Sequence, residues 1–172
     1  MTDATSETPD AAALGLDPDN LPQAKMLAHF TRDLSFENVG VMEGNTARGN
    51  PEITVNVALD AGTVSENRYQ INMKINAKAV NEGKTRFLVE LDYAGIFQFE
   101  NVKQEHVHPF LFIECPRLLL PFARRVVADV TRDGGYPPLM IDNVDFATLY
   151  RNRVEQARAQ KQAAEQPPAG NA

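Results

Sequence analysis

Residues 69–79 read YQINMKINAKA, and this stretch decides the fold. Tyr69, Ile71, Met73, Ile75, Ala77 and Ala79 fall on one parity, and Gln70, Asn72, Lys74, Asn76 and Lys78 on the other. A helix would bring apolar residues round every three or four positions. A period of two sustained this long belongs to a strand with one buried and one wet face. One-sided burial of that kind is the habit of antiparallel sheets.

The neighbouring segments extend the pattern in both directions. Downstream, Asn81-Glu82-Gly83-Lys84 reads as a tight hairpin, with Asn81 and Gly83 expected in left-handed conformations. Beyond it Phe87, Val89, Leu91 and Tyr93 oppose Arg86, Leu88, Glu90 and Asp92. Upstream, Ile53, Val55, Val57 and Leu59 oppose Thr54, Asn56, Ala58 and Asp60. The first strand carries Met26, Ala28, Phe30, Leu34 and Phe36 on one parity, broken at Arg32, where a bulge or a half-exposed edge is expected. GVMEGNTARGNP, residues 40–51, reads as a long crossover or a flexible hairpin loop.

The period then changes. Gln104 to Phe112 is a short helix or loop, and Pro116 is expected to open a long amphipathic helix. Leu119, Phe122, Ala123, Val126, Val127 and Val130 form its stripe, and Gly134-Gly135 stops it. After YPPLMIDN, Asp142 or Asn143 is expected to cap a last helix with Phe146, Leu149, Tyr150 and Val154 on its apolar side. Strands first and helices second give an α+β domain: a four-stranded antiparallel sheet with helices on one face.

This domain is expected to span residues 23–156, within the ordinary size of one domain. Residues 1–22 carry five acids, no Lys or Arg and three prolines, which reads as a disordered acidic tail, and 157–172 as a flexible one. The net charge of −6 argues against nucleic acid as a partner and suits a basic protein. MTDATSETPD at the start has neither the basic nor the apolar region of a signal peptide. With the single cysteine, Cys115, it points to the cytosol.

Little in the chain suggests chemistry. No phosphate loop, no Gly-x-Ser-x-Gly and no Cys-x-x-Cys is present. His106 and His108, with Cys115, are the nearest approach to a metal site, but no third and fourth ligand is fixed by spacing. A solvated histidine pair and a buried apolar cysteine account for the same residues. Asp142 and Asp145 fit capping and first-turn roles better than a carboxylate pair. No catalytic residue, metal ligand or cofactor is therefore expected, and the chain is read as a non-enzyme.

Four stretches carry a resemblance: TRDLSFEN (31–38), PEITVNVAL (51–59), FLVELDYAGIFQF (87–99) and ECPRLLLPFARRVVADVTRDGGYPPLMIDNVDFATLYRNR (114–153). The last is the most specific, with C-P-x-x-L-x-P-[FY]-A-R, then G-[GT]-[YF]-P-x-L, then V-[DN]-F-x-x-L. Together they resemble the SecB protein-export chaperones over roughly Gln23 to Arg153. The resemblance implies an ATP-independent chaperone of the bacterial, Gram-negative cytosol, assembled as a homotetramer, a dimer of dimers. It would hold unfolded precursor proteins and deliver them to the SecA ATPase. It implies no cofactor, no nucleic acid and no membrane insertion. A SecB-like chaperone dedicated to one toxin–antitoxin partner is the alternative, and a small metal-binding protein a more distant one.

The resemblance also implies sites. The SecA contact would fall at Asp33, Glu37, Leu88 and Glu90, all on the parity opposite the core residues of their strands. Unfolded clients would meet Val41, Met42, Phe97, Phe99, Phe110 and Phe112, a Met and Phe lining able to repack around varied sequences. Each of these can equally be core. Gly49 stands where many members carry Trp, and the C-terminal segment lacks the acidic character common in the family.

Overall fold

The computed structural model describes residues 21–42 and 50–165. Strands β1 (Gln23–Glu37), β2 (Glu52–Ser65), β3 (Arg68–Asn81) and β4 (Lys84–Glu100) form one antiparallel sheet in the order β1-β4-β3-β2. One helical turn, α1 (Val39–Met42), follows β1. Because β1 and β2 lie at opposite edges, the connection between them is a crossover and not a hairpin. The helices come last: α2 (Gln104–Pro109), a π-helical turn at Phe110–Glu114, α3 (Cys115–Asp133) and α4 (Phe146–Glu165).

The alternation in 69–79 holds as expected. Ile71, Met73, Ile75 and Ala79 are fully buried, and Lys74, Asn76 and Lys78 are exposed on the other face. Tight pairing carries that parity outward. Val57 lies across from Ile75, and Ile75 from Leu91. Helix α3 closes the buried face with Cys115, Leu119, Ala123, Val127 and Thr131, one side chain per turn. Gly95 lets it sit close, because a Cβ there would stand 2.6 Å from Leu119 Cδ2 and 2.8 Å from the Phe97 ring. At the β1 edge, His29 stacks on Phe122 of α3 at 4.1 Å, its Nδ1 2.6 Å from the Tyr93 hydroxyl.

Several local expectations change. The β3–β4 hairpin has its positive φ values at Glu82 (52°) and Gly83 (75°), not at Asn81. Two consecutive left-handed residues match the twist of the flanking strands, and Asn81 instead pairs with Lys84. Pro116 stands in the first turn of α3, as expected, but no break in the helical backbone precedes it. Backbone stays helical from Gln104 through Asp133, and the π-helical turn takes up the irregularity between Pro109 and Pro116. Asp145, not Asp142 or Asn143, caps α4: its carboxylate accepts from Thr148 N at 3.0 Å and Thr148 Oγ1 at 2.8 Å. These bonds favour the charged form and hold the Asp145 carboxyl below its usual value. Asn143 Oδ1 accepts instead from Arg124 at 3.0 Å. Helix α4 continues to Glu165, so the boundary expected after residue 156 falls inside a helix.

The single parity expected for β1 is also corrected. Bulges between Met26 and Ala28 and between Thr31 and Asp33 each insert a residue. Met26, Leu34 and Phe36 share a face with Phe97, Leu91 and Val89. Phe30 and Ala28 pair with Ala94 and Ile96, on the outer face. The break at Arg32 signalled the second bulge; the first leaves no such mark, because Leu27 is itself apolar.

Candidate functional site

The link from α3 to α4 forms one wall of an open cleft. Gly134 ends α3, and Asn38 Nδ2 donates to its carbonyl at 2.8 Å, tying the link to the end of β1. The Tyr136 hydroxyl lies 2.9 Å from both Asn38 Oδ1 and the Arg86 carbonyl. Leu139 N donates to Thr131 Oγ1 at 2.9 Å. Fixed at these points, Tyr136, Pro137, Pro138 and Leu139 face Pro51, Ile53 and Phe87 across a cleft of about 420 Å³. Prolines supply apolar surface without a backbone donor, so this wall stays apolar without needing partners. Arg86, expected on the wet face, is buried and lines the cleft. Ile53 is 42% exposed, Val41 58% and Met140, next to Leu139, 65%.

The residues expected to meet clients divide. Val41 is exposed near the cleft end of the sheet. Of Met42 only the backbone, in α1, is described. Phe97, Phe99 and Phe112 are corrected: they belong to the core, at 0%, 5% and 5% exposure. Phe97 and Phe99 are on the parity that faces the helices, and Phe99 packs on Tyr69 and on the half-buried Phe110. Phe112 is enclosed by His108, Tyr150 and the Arg153 guanidinium, 4.5 Å over its ring. The cleft's own lining, Tyr136 to Leu139 with Ile53, lay unused in YPPL, a segment legible in sequence only as a link.

The outer face of the sheet carries the other expected site. Pairing sets Asp33 across from Asp92, Ser35 from Glu90 and Glu37 from Leu88. Asp33, Glu37 and Glu90 are exposed, and Leu88 is half-buried between Glu37 and Lys78. The four expected residues thus stand together. Among the described residues Asp33, Glu37 and Glu90 make no ion pair, while Asp92 lies 3.6 Å from Arg32. These acidic residues stand on β1 and β4, and Asp60 of β2 is exposed on the far side of the same face. On β3 Lys74 stands across from Asp92, Asn76 from Glu90 and Lys78 from Leu88, so a lane with two lysines runs beside the acidic one.

The family model described as "Preprotein translocase subunit SecB" matches residues 17–157. "Protein-export protein SecB" of Jannaschia sp. (strain CCS1) is 47% identical over 164 residues, covering 92% of each chain. The chain belongs to the SecB family.

Other SecB relatives agree over nearly the same span. The protein of Cereibacter sphaeroides is 48% identical, covering 97% of this chain and 99% of its own, and that of Nitrobacter winogradskyi is 48% identical over 82% and 90%. A solved SecB-like chaperone of Mycobacterium tuberculosis, in complex with a ChAD peptide from the HigA1 antitoxin, shares the fold. Its TM-score is 0.58 over 70% of this chain and 90% of its own, at 12% identity.

Within this SecB fold the alternative metal residues point apart. His106 lies 3.7 Å from Glu105, and His108 Nδ1 lies 3.1 Å from the Tyr150 hydroxyl. Cys115 is fully buried, and burial pushes its thiol up to about 12, with Glu114 adding to the effect. Among the described residues no three His, Cys, Asp or Glu side chains gather as a ligand set. No helix among them is long and apolar enough to cross a membrane. Gly49 lies outside the described residues, as do nearly all of the expected N-terminal tail and the last part of the C-terminal one.

Proposed function

We propose that this chain is an ATP-independent holdase for protein export, which binds unfolded preproteins in the cytosol and hands them to the SecA ATPase. The observation that carries the reading is the cleft between Ile53 and the Tyr136–Leu139 wall, with Ile53 and Met140 exposed beside it. Contiguous apolar surface left open on a folded domain marks a binding site. A cleft closed on one side by prolines and open on the other suits an extended chain of varied sequence. Such contacts are weak singly and gain strength when several copies engage one client. The free edge of β1, with Leu27, Leu34 and α3's Leu118 exposed near it, supports joining of copies there and so a homotetramer.

Delivery to SecA rests on the outer face. Asp33, Glu37 and Glu90 offer unneutralised charge to a basic segment, and Leu88 adds an apolar contact among them. Neither step calls for a reacting group, so the chain acts as a binding protein and not as an enzyme. At stoichiometric tetramer it slows the refolding of a denatured preprotein with no nucleotide present; an unchanged refolding rate rejects the reading. Asp33→Lys together with Glu90→Lys abolishes SecA binding, and unchanged binding rejects the site. A chaperone dedicated to a single toxin–antitoxin partner would not need to bind SecA at all.

A further inference from the structure

The bulge between Thr31 and Asp33 does more than repair a parity. Below it Phe30 is 42% exposed, beside Ala94 and with Ala28 and Ile96 one pair further along the same face. Ala94 is 0% exposed although its parity points it outward. Its lateral neighbours in the sheet are Phe30 and Asn72, and along its own strand Asp92 and Ile96, so these side chains close over it. The outer face is therefore not uniformly polar. Between β1 and β4 it runs from Glu37 and Leu88 through the acidic residues to Asp33 and Asp92, and then to an apolar step of Phe30, Ala94, Ile96 and Ala28. The lysine lane of β3 flanks its acidic part, and Asn72 and Gln70 flank the step.

We propose that this step is a second contact for the same basic partner that the acidic lane receives, an inference that rests on the SecA reading above. The partner segment lies along β1 and β4, parallel to the strands. Its basic residues meet Asp33, Glu37 and Glu90, and one large apolar side chain beyond them covers Phe30 and Ile96. Charge complementarity sets the lane, since acids line it on one side and lysines repel a basic chain from the other. With antiparallel rise of about 3.4 Å per residue, the step begins within about 7 Å of Asp92, which an adjacent part of the same segment can reach. Electrostatics brings the segment to the face, and the apolar contact holds it there.

The test uses the full-length chain and purified SecA, with binding measured over a range of salt. Phe30→Thr weakens binding about fivefold, the scale of losing one apolar anchor, and leaves the salt dependence as it was. Ile96→Thr, on the interior strand β4, does the same without touching the free edge of β1. Asp33→Lys with Glu90→Lys, in contrast, abolishes binding across the whole range of salt. Full affinity in both Thr variants while the double charge variant loses it overturns the inference and leaves the SecA reading intact. No binding by the unchanged protein overturns both. A smaller assembly on mass measurement in both Thr variants, with SecA affinity per chain preserved, assigns the step to contact between copies and also overturns the inference.

Discussion

His108 on α2 faces Tyr150 and Arg153 on α4, and its protonation reports how firmly the two helices are docked. Burial and then the Arg153 charge both oppose the imidazolium, so His108 is held below its ordinary value of 6.5. A base with a lowered folded value binds fewer protons folded than unfolded, and stability is lost as pH falls from 6.5 through that value. The His108 ring signal in NMR should titrate below 6.5, and Arg153→Gln should move the midpoint up. A midpoint at or above 6.5 in the unchanged protein, or no movement in the variant, contradicts the packing described. At this scale the sequence was an uneven guide. Glu82 takes a left-handed conformation because the turn type demands it, although Asn81 has the better intrinsic preference. Asp145 caps α4 because the helix begins at Phe146, the first residue of its apolar side, which leaves Asp142 and Asn143 in the link before it.

Strands were the most legible elements, since period two in 53–59, 69–79 and 87–93 has no rival explanation. The helices were legible in their apolar faces but not in their ends. Val127 and Leu119 face the sheet whether α3 begins at Pro116 or runs unbroken from α2. Strand β1 was misjudged because its two bulges, both between Met26 and Asp33, cancel each other's effect on parity at the strand ends. Gly95 marks the tightest approach between layers, and its meaning appears only when α3 lies across it. Gly95→Ala should destabilise the fold by about 2 kcal/mol, the cost of overpacking one methyl against Leu119 and Phe97. Chemical denaturation should show a lower midpoint with an unchanged slope; a loss under about 0.5 kcal/mol contradicts the close approach.

Across the whole molecule the two proposed sites lie apart. The outer face of the sheet bears acids near the β1 edge, and the apolar cleft opens at the end of the sheet where α3 turns toward α4. The acidic lane was legible, because parity alone sends Asp33, Glu37 and Glu90 outward. The cleft was not, for it forms between residues more than eighty positions apart, Ile53 and Tyr136 among them, and exposure cannot be read from apolarity. Phe97, Phe99 and Phe112 are as apolar as Ile53 and Met140, yet the first three build the core and the last two remain open.

The most direct measurement is the refolding rate of a denatured preprotein, without nucleotide, in the presence of the unchanged chain and of Ile53→Lys with Met140→Lys. Both positions are exposed, so the variant should keep its fold. The unchanged chain should slow refolding, and the variant should need about tenfold more protein for the same effect. Equal retardation by the two would contradict the cleft as the place where clients are held.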